Sequence, residues 1–513
     1  MIRNVLSNWV ALVVTAVISF VLTPILVHGL GHFYYGLWIL VGSLVDYFGL
    51  LDVGIRTTLQ RFVARLAGRG ERDALSETFA TGIALTAGVC VLIGAATAAL
   101  LFLPPRLFGL DDSAQLTFHW LVVLLGASVA VTMMARLLGA YICGLQRFDL
   151  YNLTAIMCAV VRAAIIVVAL WMDVGHGTIW VGAATLTSAV LMCALHWYFV
   201  RRLDRGLRFR LARVRIERVR ELVSFSVYVF LITAGEYVRT YSAAIIIARL
   251  MGIAAITPFN VAARVMDYMW WIVLGVIGPL MPRMSELHGQ ERRSALRDLV
   301  VRAVGFTTLL TSFIAWLLVL NGDALIRLWL GPGFEVSARL MLILLVGAVL
   351  AQSQSPSGPL LIASGRHRAY AWWTLAEAAA TIALGVYWVR DYGLTGVALA
   401  MTVPRAVVKT IIQPWYVLGV LDLRALDYLR EALLRPVVVN TLFFLACVEV
   451  NAFGGTMGLR DLAWALTWQT SLFLALAYAV GLSPAVRQAV RLRARRSLAR
   501  TVVPAGIRDV TAP

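Results

Sequence analysis

GHFYYGLWILVGSLVDYFGLLDVGIRTTLQRFVARLAGRGERDAL, residues 31–75, is echoed 221 positions later by GIAAITPFNVAARVMDYMWWIVLGVIGPLMPRMSELHGQERRSAL, residues 252–296. Laid over each other without gaps, Gly31 meets Gly252, Asp46 meets Asp267 and Tyr47 meets Tyr268. Gly54, Leu59, Leu66 and Gly68 meet Gly275, Leu280, Leu287 and Gly289, and Arg72, Ala74 and Leu75 meet Arg293, Ala295 and Leu296. These identities exceed the roughly three or four that so biased a composition gives by chance. Each copy runs from an apolar stretch through an Asp-Tyr pair to a basic segment. The chain therefore reads as two similar halves, the alternative being an accidental likeness between helical hairpins.

The apolar stretches are too long for the core of a water-soluble domain. Of 513 residues, 61% are hydrophobic and 14% charged, against about 25% charged in ordinary soluble proteins. A bilayer core about 30 Å thick takes ~20 residues of helix. Fourteen stretches meet that length: 8–28, 37–55, 79–103, 118–143, 151–171, 178–200, 222–249, 256–282, 299–320, 338–363, 370–389, 394–419, 433–452 and 461–482. The fold class expected is an all-α polytopic membrane protein of about fourteen transmembrane helices. MIRNVLSNWV runs straight into the first of them with no small-residue cleavage site soon after, so no cleaved leader is expected.

Charge placement orients the chain. With the N-terminus in the cytoplasm and alternating spans, 33 of the 45 basic residues fall on the cytoplasmic side, six on the other and six inside spans. That bias is the positive-inside signature, and an even number of spans returns the C-terminus to the cytoplasm. The net charge of +18 is thus accounted for by cytoplasmic loops and does not call for nucleic acid. The expected organisation is an N-terminal six-helix bundle (1–200), a basic cytoplasmic linker (201–220), a C-terminal six-helix bundle (221–420), two additional transmembrane helices (421–485) and a basic cytoplasmic tail (486–513). Because each repeat holds an even number of spans, both halves share one orientation. Parallel repeats of that kind are common in transporters, with substrate bound between them.

The six basic residues inside spans are Arg136, Arg162, Arg239, Arg264, Arg405 and Lys409, and Lys409 is the only lysine in the chain. A cation at the bilayer centre costs roughly 2.5–3.5 kcal/mol on insertion scales, so such residues face a bundle interior or a watery cavity. Glu236 with Arg239, and Arg264 with Asp267, are three residues apart on one helical face, where an ion pair forms readily. Arg405 and Lys409 repel each other at i, i+4, with no acid between 394 and 419; Glu377 on the preceding span is the nearest candidate counter-charge inside the membrane. One reading pairs all these cations with Glu377, Asp46, Glu236 or backbone carbonyls to hold helices together. The other is a cationic cavity for an anionic headgroup, phosphate above all, which the guanidinium fork grips bidentately. Pro404 and Pro414 flank the pair, and AQSQSPSGPLLIASG, 351–365, is polar at membrane depth; both suggest broken helices that line a cavity. A span that merely ends early would explain the second.

No GxxxxGK[ST], HExxH or GxSxG sequence is present, and the external connections are too short for a catalytic domain. The five cysteines are scattered singly in apolar stretches, as buried thiols and not a disulfide or metal framework. No enzyme activity, cofactor or metal is expected.

TPILVHGLGHFYYGLWILVGSLVDYFGLLDVGIRTTLQRFVA, 23–64, with its glycine-aromatic-glycine turn and following LDxG, is similar to the first two spans of bacterial polysaccharide transporters. YICGLQRFDLYNLTAIMCAVVRAAIIVVAL, 141–170, resembles the hairpin after their fourth span. These are the lipid-linked oligosaccharide flippases of the multidrug/oligosaccharidyl-lipid/polysaccharide exporter superfamily. The resemblance implies two six-helix bundles around a V-shaped cavity that rock for alternating access. The last two spans are reminiscent of the fourteen-span lipid II flippases. By role, it casts Arg136, Arg162, Arg239, Arg264, Arg405 and Lys409 as a cationic lumen for the pyrophosphate of an undecaprenyl-linked sugar. Asp46, Glu236, Asp267 and Glu377 become candidate ion or proton sites. The expected partners are a lipid-linked anionic oligosaccharide, membrane lipids, and polysaccharide polymerase and ligase machinery; the expected location is the bacterial inner membrane. Two alternatives stay open: a cation-coupled drug exporter of the same fold, which would favour an acidic lumen, and a membrane scaffold of a glycan-synthesis complex that docks partners on 201–220 and RQAVRLRARRSLAR.

Overall fold

A computed structural model describes residues 2–52, 54–172, 177–206, 227–278, 280–450 and 458–481. Most of the basic linker, from 207 to 220, and the tail 486–513 lie outside the described residues. Among the described residues every regular element is helical. Eleven helices are long and apolar enough to cross a membrane. Two of them hold two spans each, because Ser7–Leu51 is interrupted at Gly31 and His367–Leu421 at Gly393. With Val227–Leu250, which carries Glu236 and Arg239, these make up the fourteen expected spans.

The local causes are simple. A chain in hydrocarbon must satisfy every backbone polar group internally, which helices do. Threonines inside spans turn their hydroxyls back onto the carbonyl four residues earlier: Thr15 on Ala11 at 2.7 Å, Thr78 on Ala74 at 2.7 Å and Thr381 on Glu377 at 2.8 Å. Gly31, at φ 72° and ψ 170°, separates the first span from the second; that combination is open essentially to glycine alone. Ile55–Arg69 follows the second span as an amphipathic helix, burying Ile55, Leu59, Phe62, Val63 and Leu66. Leu280–Gly289 follows the eighth span at the equivalent place in the repeat.

Packing follows the repeat. The first span packs on the fifth and the fourth on the sixth; correspondingly the seventh packs on the eleventh and the tenth on the twelfth. Gly235 on the seventh span lies against Thr374 of the eleventh, with 2.9 Å left for an added Cβ, and Thr402 of the twelfth donates to the Ile343 carbonyl of the tenth at 3.1 Å. The thirteenth and fourteenth spans, Arg435–Val450 and Leu459–Leu476, pack on the ninth, where Phe313 stacks on Phe473 at 3.9 Å.

The two halves share one apolar core at a single end. There Val27, Tyr35 and Leu37 pack in the same cluster as Ile247, Ile253 and Ile256, and an added Cβ at Gly36 would overlap the Ile253 carbonyl. At the arginine-rich end each half keeps its own core. One is built around Leu59, Phe79 and Tyr141, the other around Val300, Leu360 and Trp373. Among the described residues the halves touch there at Gly49 against Tyr237 and Gly275 against Trp9.

Candidate functional site

Between the halves lies a cavity of about 1000 Å³. The second span presents Asp46 to it and the fifth presents Arg162. The seventh span contributes Glu236 and Arg239, the eighth Arg264 and Asp267, and the twelfth Arg405 and Lys409. Eight of the ten charged residues singled out in the sequence thus line one space. All lie near mid-depth of their spans, where only a polar cavity makes a charge tolerable.

Two of the five cations are paired with carboxylates. Arg239 donates to Glu236 Oε2 from Nη2 at 2.7 Å and from Nε at 3.2 Å, and its Nε lies 3.6 Å from Glu377 Oε1. Arg264 Nη1 lies 3.5 Å from Asp267 Oδ2. These are the i, i+3 pairs expected from spacing. The remaining cations are different: among the described residues Arg162, Arg405 and Lys409 form no ion pair with a carboxylate. The Nε atoms of Arg162 and Arg405 are buried without a hydrogen-bond partner. Lys409 Nζ donates to Gln413 Oε1 at 2.9 Å and stands 5.3 Å from the centre of the Tyr370 ring, two neutral contacts.

The backbone around Arg405 and Lys409 is irregular, as their flanking prolines suggest. Pro404 lies within the helix His367–Val407, and the chain widens into a π-turn over Val408–Ile412 before Pro414. Proline lacks the N–H that would close the regular ladder, and single π-turns of this kind are common at functional sites. The polar stretch 351–365 also breaks: the helix Glu335–Ser353 stops, a turn follows, and Ser357–Ala363 resumes. Gln352, Gln354 and Ser355 of that break line the cavity beside Gln413 and Tyr370.

Two expectations need refining. Glu377 is 2% exposed and makes its ion pair with Arg239, while its charge and that of Glu236 still reach Arg405 and Lys409. Arg136 is exposed and is not among the residues lining the cavity, although its charge reaches Asp46. Sequence reasoning missed the neutral polar wall of Gln352, Gln354, Gln413 and Tyr370. Its only trace was the density of Gln and Ser in 351–365. Among the described residues no cluster of three or more His, Cys, Asp or Glu side chains is placed to hold a metal.

The family model of polysaccharide biosynthesis proteins matches residues 1–288, more than half of the chain. The chain belongs to the polysaccharide biosynthesis protein family. Over 424 residues it is 23% identical to the uncharacterized membrane protein EpsK of Bacillus subtilis, covering 81% of this chain and 82% of that one. It is also 23% identical over 196 residues to the amylovoran biosynthesis protein AmsL of Erwinia amylovora, spanning 38% of this chain and 50% of AmsL. Among solved structures, the lipid II flippase MurJ in an inward closed conformation superposes with a TM-score of 0.67 at 12% identity, over 93% of this chain and 98% of MurJ. An inward-facing multidrug resistance transporter of the MATE family, from the same MOP superfamily, gives 0.65 at 14% identity, over 80% and 95%. A Pyrococcus furiosus MOP-superfamily transporter, whose binding pocket is described as of reverse polarity, gives 0.61 at 15% identity, over 82% and 97%. Family and fold together make this member a multi-pass polysaccharide biosynthesis protein with the fold shared by MurJ and the MATE transporter.

Proposed function

We propose that the chain carries an undecaprenyl-pyrophosphate-linked oligosaccharide from the cytoplasmic to the periplasmic leaflet of the bacterial inner membrane, for a surface polysaccharide such as O-antigen, capsule or exopolysaccharide. One observation carries the reading: Arg405 and Lys409 enter a cavity between the halves with no carboxylate partner among the described residues. A mid-membrane cation pair without an ion pair of its own, helped only by the more distant Glu236 and Glu377, is expensive, and a bound anion compensates it. A diphosphate suits Arg405 and Lys409, with charge-assisted hydrogen bonds from the guanidinium fork and a point charge from the ammonium. Trp38, Trp270, Trp271 and Tyr241 line the same space and offer flat faces to sugar rings, while the polyprenyl tail stays in lipid. A cavity lined by five cations and three carboxylates is a poor host for a cationic drug.

The cargo enters from the basic end, taken as cytoplasmic, and leaves when the halves rock so that the shared core at the other end parts. Of the candidate coupling acids, Glu236, Glu377 and Asp267 are occupied by arginines. Asp46, beside the Tyr241 hydroxyl, makes no ion pair among the described residues and is the acid best placed for a proton or cation. In a strain deleted for this protein, Arg405→Gln and Lys409→Gln are each expected to insert at wild-type level and lower surface glycan about tenfold or more, the loss of one charged hydrogen bond. Wild-type glycan from both, at normal protein level, defeats the reading.

A further inference from the structure

We propose that Gln413, Gln354 and Tyr428 are positioning residues that aim the Lys409 ammonium into the cavity without neutralising it, and that they tie the last pair of spans to the transport site. The inference rests on the role given to Lys409 above. A lysine ammonium rides on a flexible four-carbon stem, has three protons to place, and here has no carboxylate to hold it. A chain of neutral hydrogen bonds holds it instead. Gln413 Oε1 accepts from Lys409 Nζ at 2.9 Å. The amide of Gln413 cannot turn over, because its Nε2 donates to the Gln354 backbone carbonyl at 3.0 Å. That carbonyl is within reach because the tenth span breaks at this residue. Gln354 is clamped in turn by the Tyr428 hydroxyl, which donates to its Oε1 at 2.9 Å.

Lys409, Gln413, Gln354 and Tyr428 are all buried, so each bond is shielded from competing water and fixes the next. No member of the chain beyond Lys409 carries a charge, and the full positive charge stays available to an anion. Tyr428 closes the short helix Ala425–Tyr428, which leads through a π-turn into the thirteenth span. Spans thirteen and fourteen pack on the outside of the ninth, yet through Tyr428 they reach the cavity wall. The extra pair of helices thereby helps set the pose of a cation in the site.

A double-mutant cycle in the deletion strain tests this, with surface glycan and membrane-inserted protein measured together. Tyr428→Phe removes one hydroxyl and is expected to lower glycan about threefold to tenfold at unchanged protein level. In a Lys409→Gln background Tyr428→Phe should have no further effect, because nothing is left to aim. A merely structural tyrosine would instead multiply its effect with that of Lys409→Gln. Gln413→Glu keeps the shape but sets a carboxylate against the ammonium, and should fall to the level of Lys409→Gln. It is also the deciding variant if Tyr428→Phe fails to accumulate. Independent effects in the cycle, or wild-type glycan from Gln413→Glu, overturn the proposal. A silent Lys409→Gln would instead defeat the function assigned to the cavity, whereas a defective Lys409→Gln beside a silent Tyr428→Phe defeats the positioning alone.

Discussion

At the scale of the residue, the intramembrane charges divide by partner, and substitutions should divide the same way. Arg239 stands between Glu236 and Glu377, and the Glu377 side chain is 1% exposed. Arg239→Gln strands two carboxylates and is expected to cost about 3–5 kcal/mol, seen as a lower unfolding temperature in detergent and less protein in the membrane. Arg405→Gln removes a cation that makes no ion pair among the described residues, and Glu236 and Glu377 keep Arg239. It should unfold at or above the wild-type temperature while transport fails. Equal destabilisation by the two variants would mean that Arg405 is structural after all. The i, i+3 pairs were legible because partners three apart share a helical face. The partner of Glu377 was not, since contacts between spans carry no signature in sequence separation. Its ion pair is with Arg239, 138 residues away in the chain.

At the scale of the element, span positions were legible because hydrocarbon imposes length and apolarity at once, and the fourteen stretches read from hydropathy all reappear as helices. Less legible was what separates them. Gly31 and Gly393 each divide two spans inside what is otherwise one run of helix, a backbone property that apolar flanks hide. The amphipathic Ile55–Arg69 was read only as a basic segment, although its Ile55, Leu59, Phe62 and Leu66 spacing marks a helix with one buried face. Gly31→Ala puts a side chain into a conformation that costs about 1–3 kcal/mol. Its expected result is lower thermal stability in detergent, whereas Gly88→Ala, on an ordinary helical turn with open space for a Cβ, should be neutral or stabilising. A Gly31→Ala variant as stable as wild type would show that this junction is not strained.

At the scale of the whole molecule, the shared core at one end and separate cores at the other describe a single conformation of a two-part machine. We propose that 1–200 and 221–420 move as units about that core. Gly36 lies so close to the Ile253 carbonyl that Gly36→Ala should disfavour this conformation. In a cysteine-free background, Ser43→Cys in the cavity wall should then react faster with a membrane-impermeant thiol reagent added from the periplasmic side. Unchanged labelling would contradict rocking about this contact. The orientation inferred from the arginine bias also has a direct check. A C-terminal green fluorescent protein fusion should fluoresce and a C-terminal alkaline phosphatase fusion should be inactive, the reverse pattern placing the basic end outside.

The central claim is that the cavity cations that make no ion pair carry an anionic lipid-linked headgroup across the bilayer. The most direct measurement reconstitutes the purified protein into liposomes loaded with undecaprenyl-diphosphate oligosaccharide and follows the fraction of sugar open to an impermeant periodate reagent. Wild-type protein should bring sugar to the oxidised leaflet faster than protein-free liposomes do, and the Arg405→Gln/Lys409→Gln double variant should be no faster than those empty liposomes. Wild-type protein that moves no sugar, or a double variant that keeps pace with it, contradicts the account.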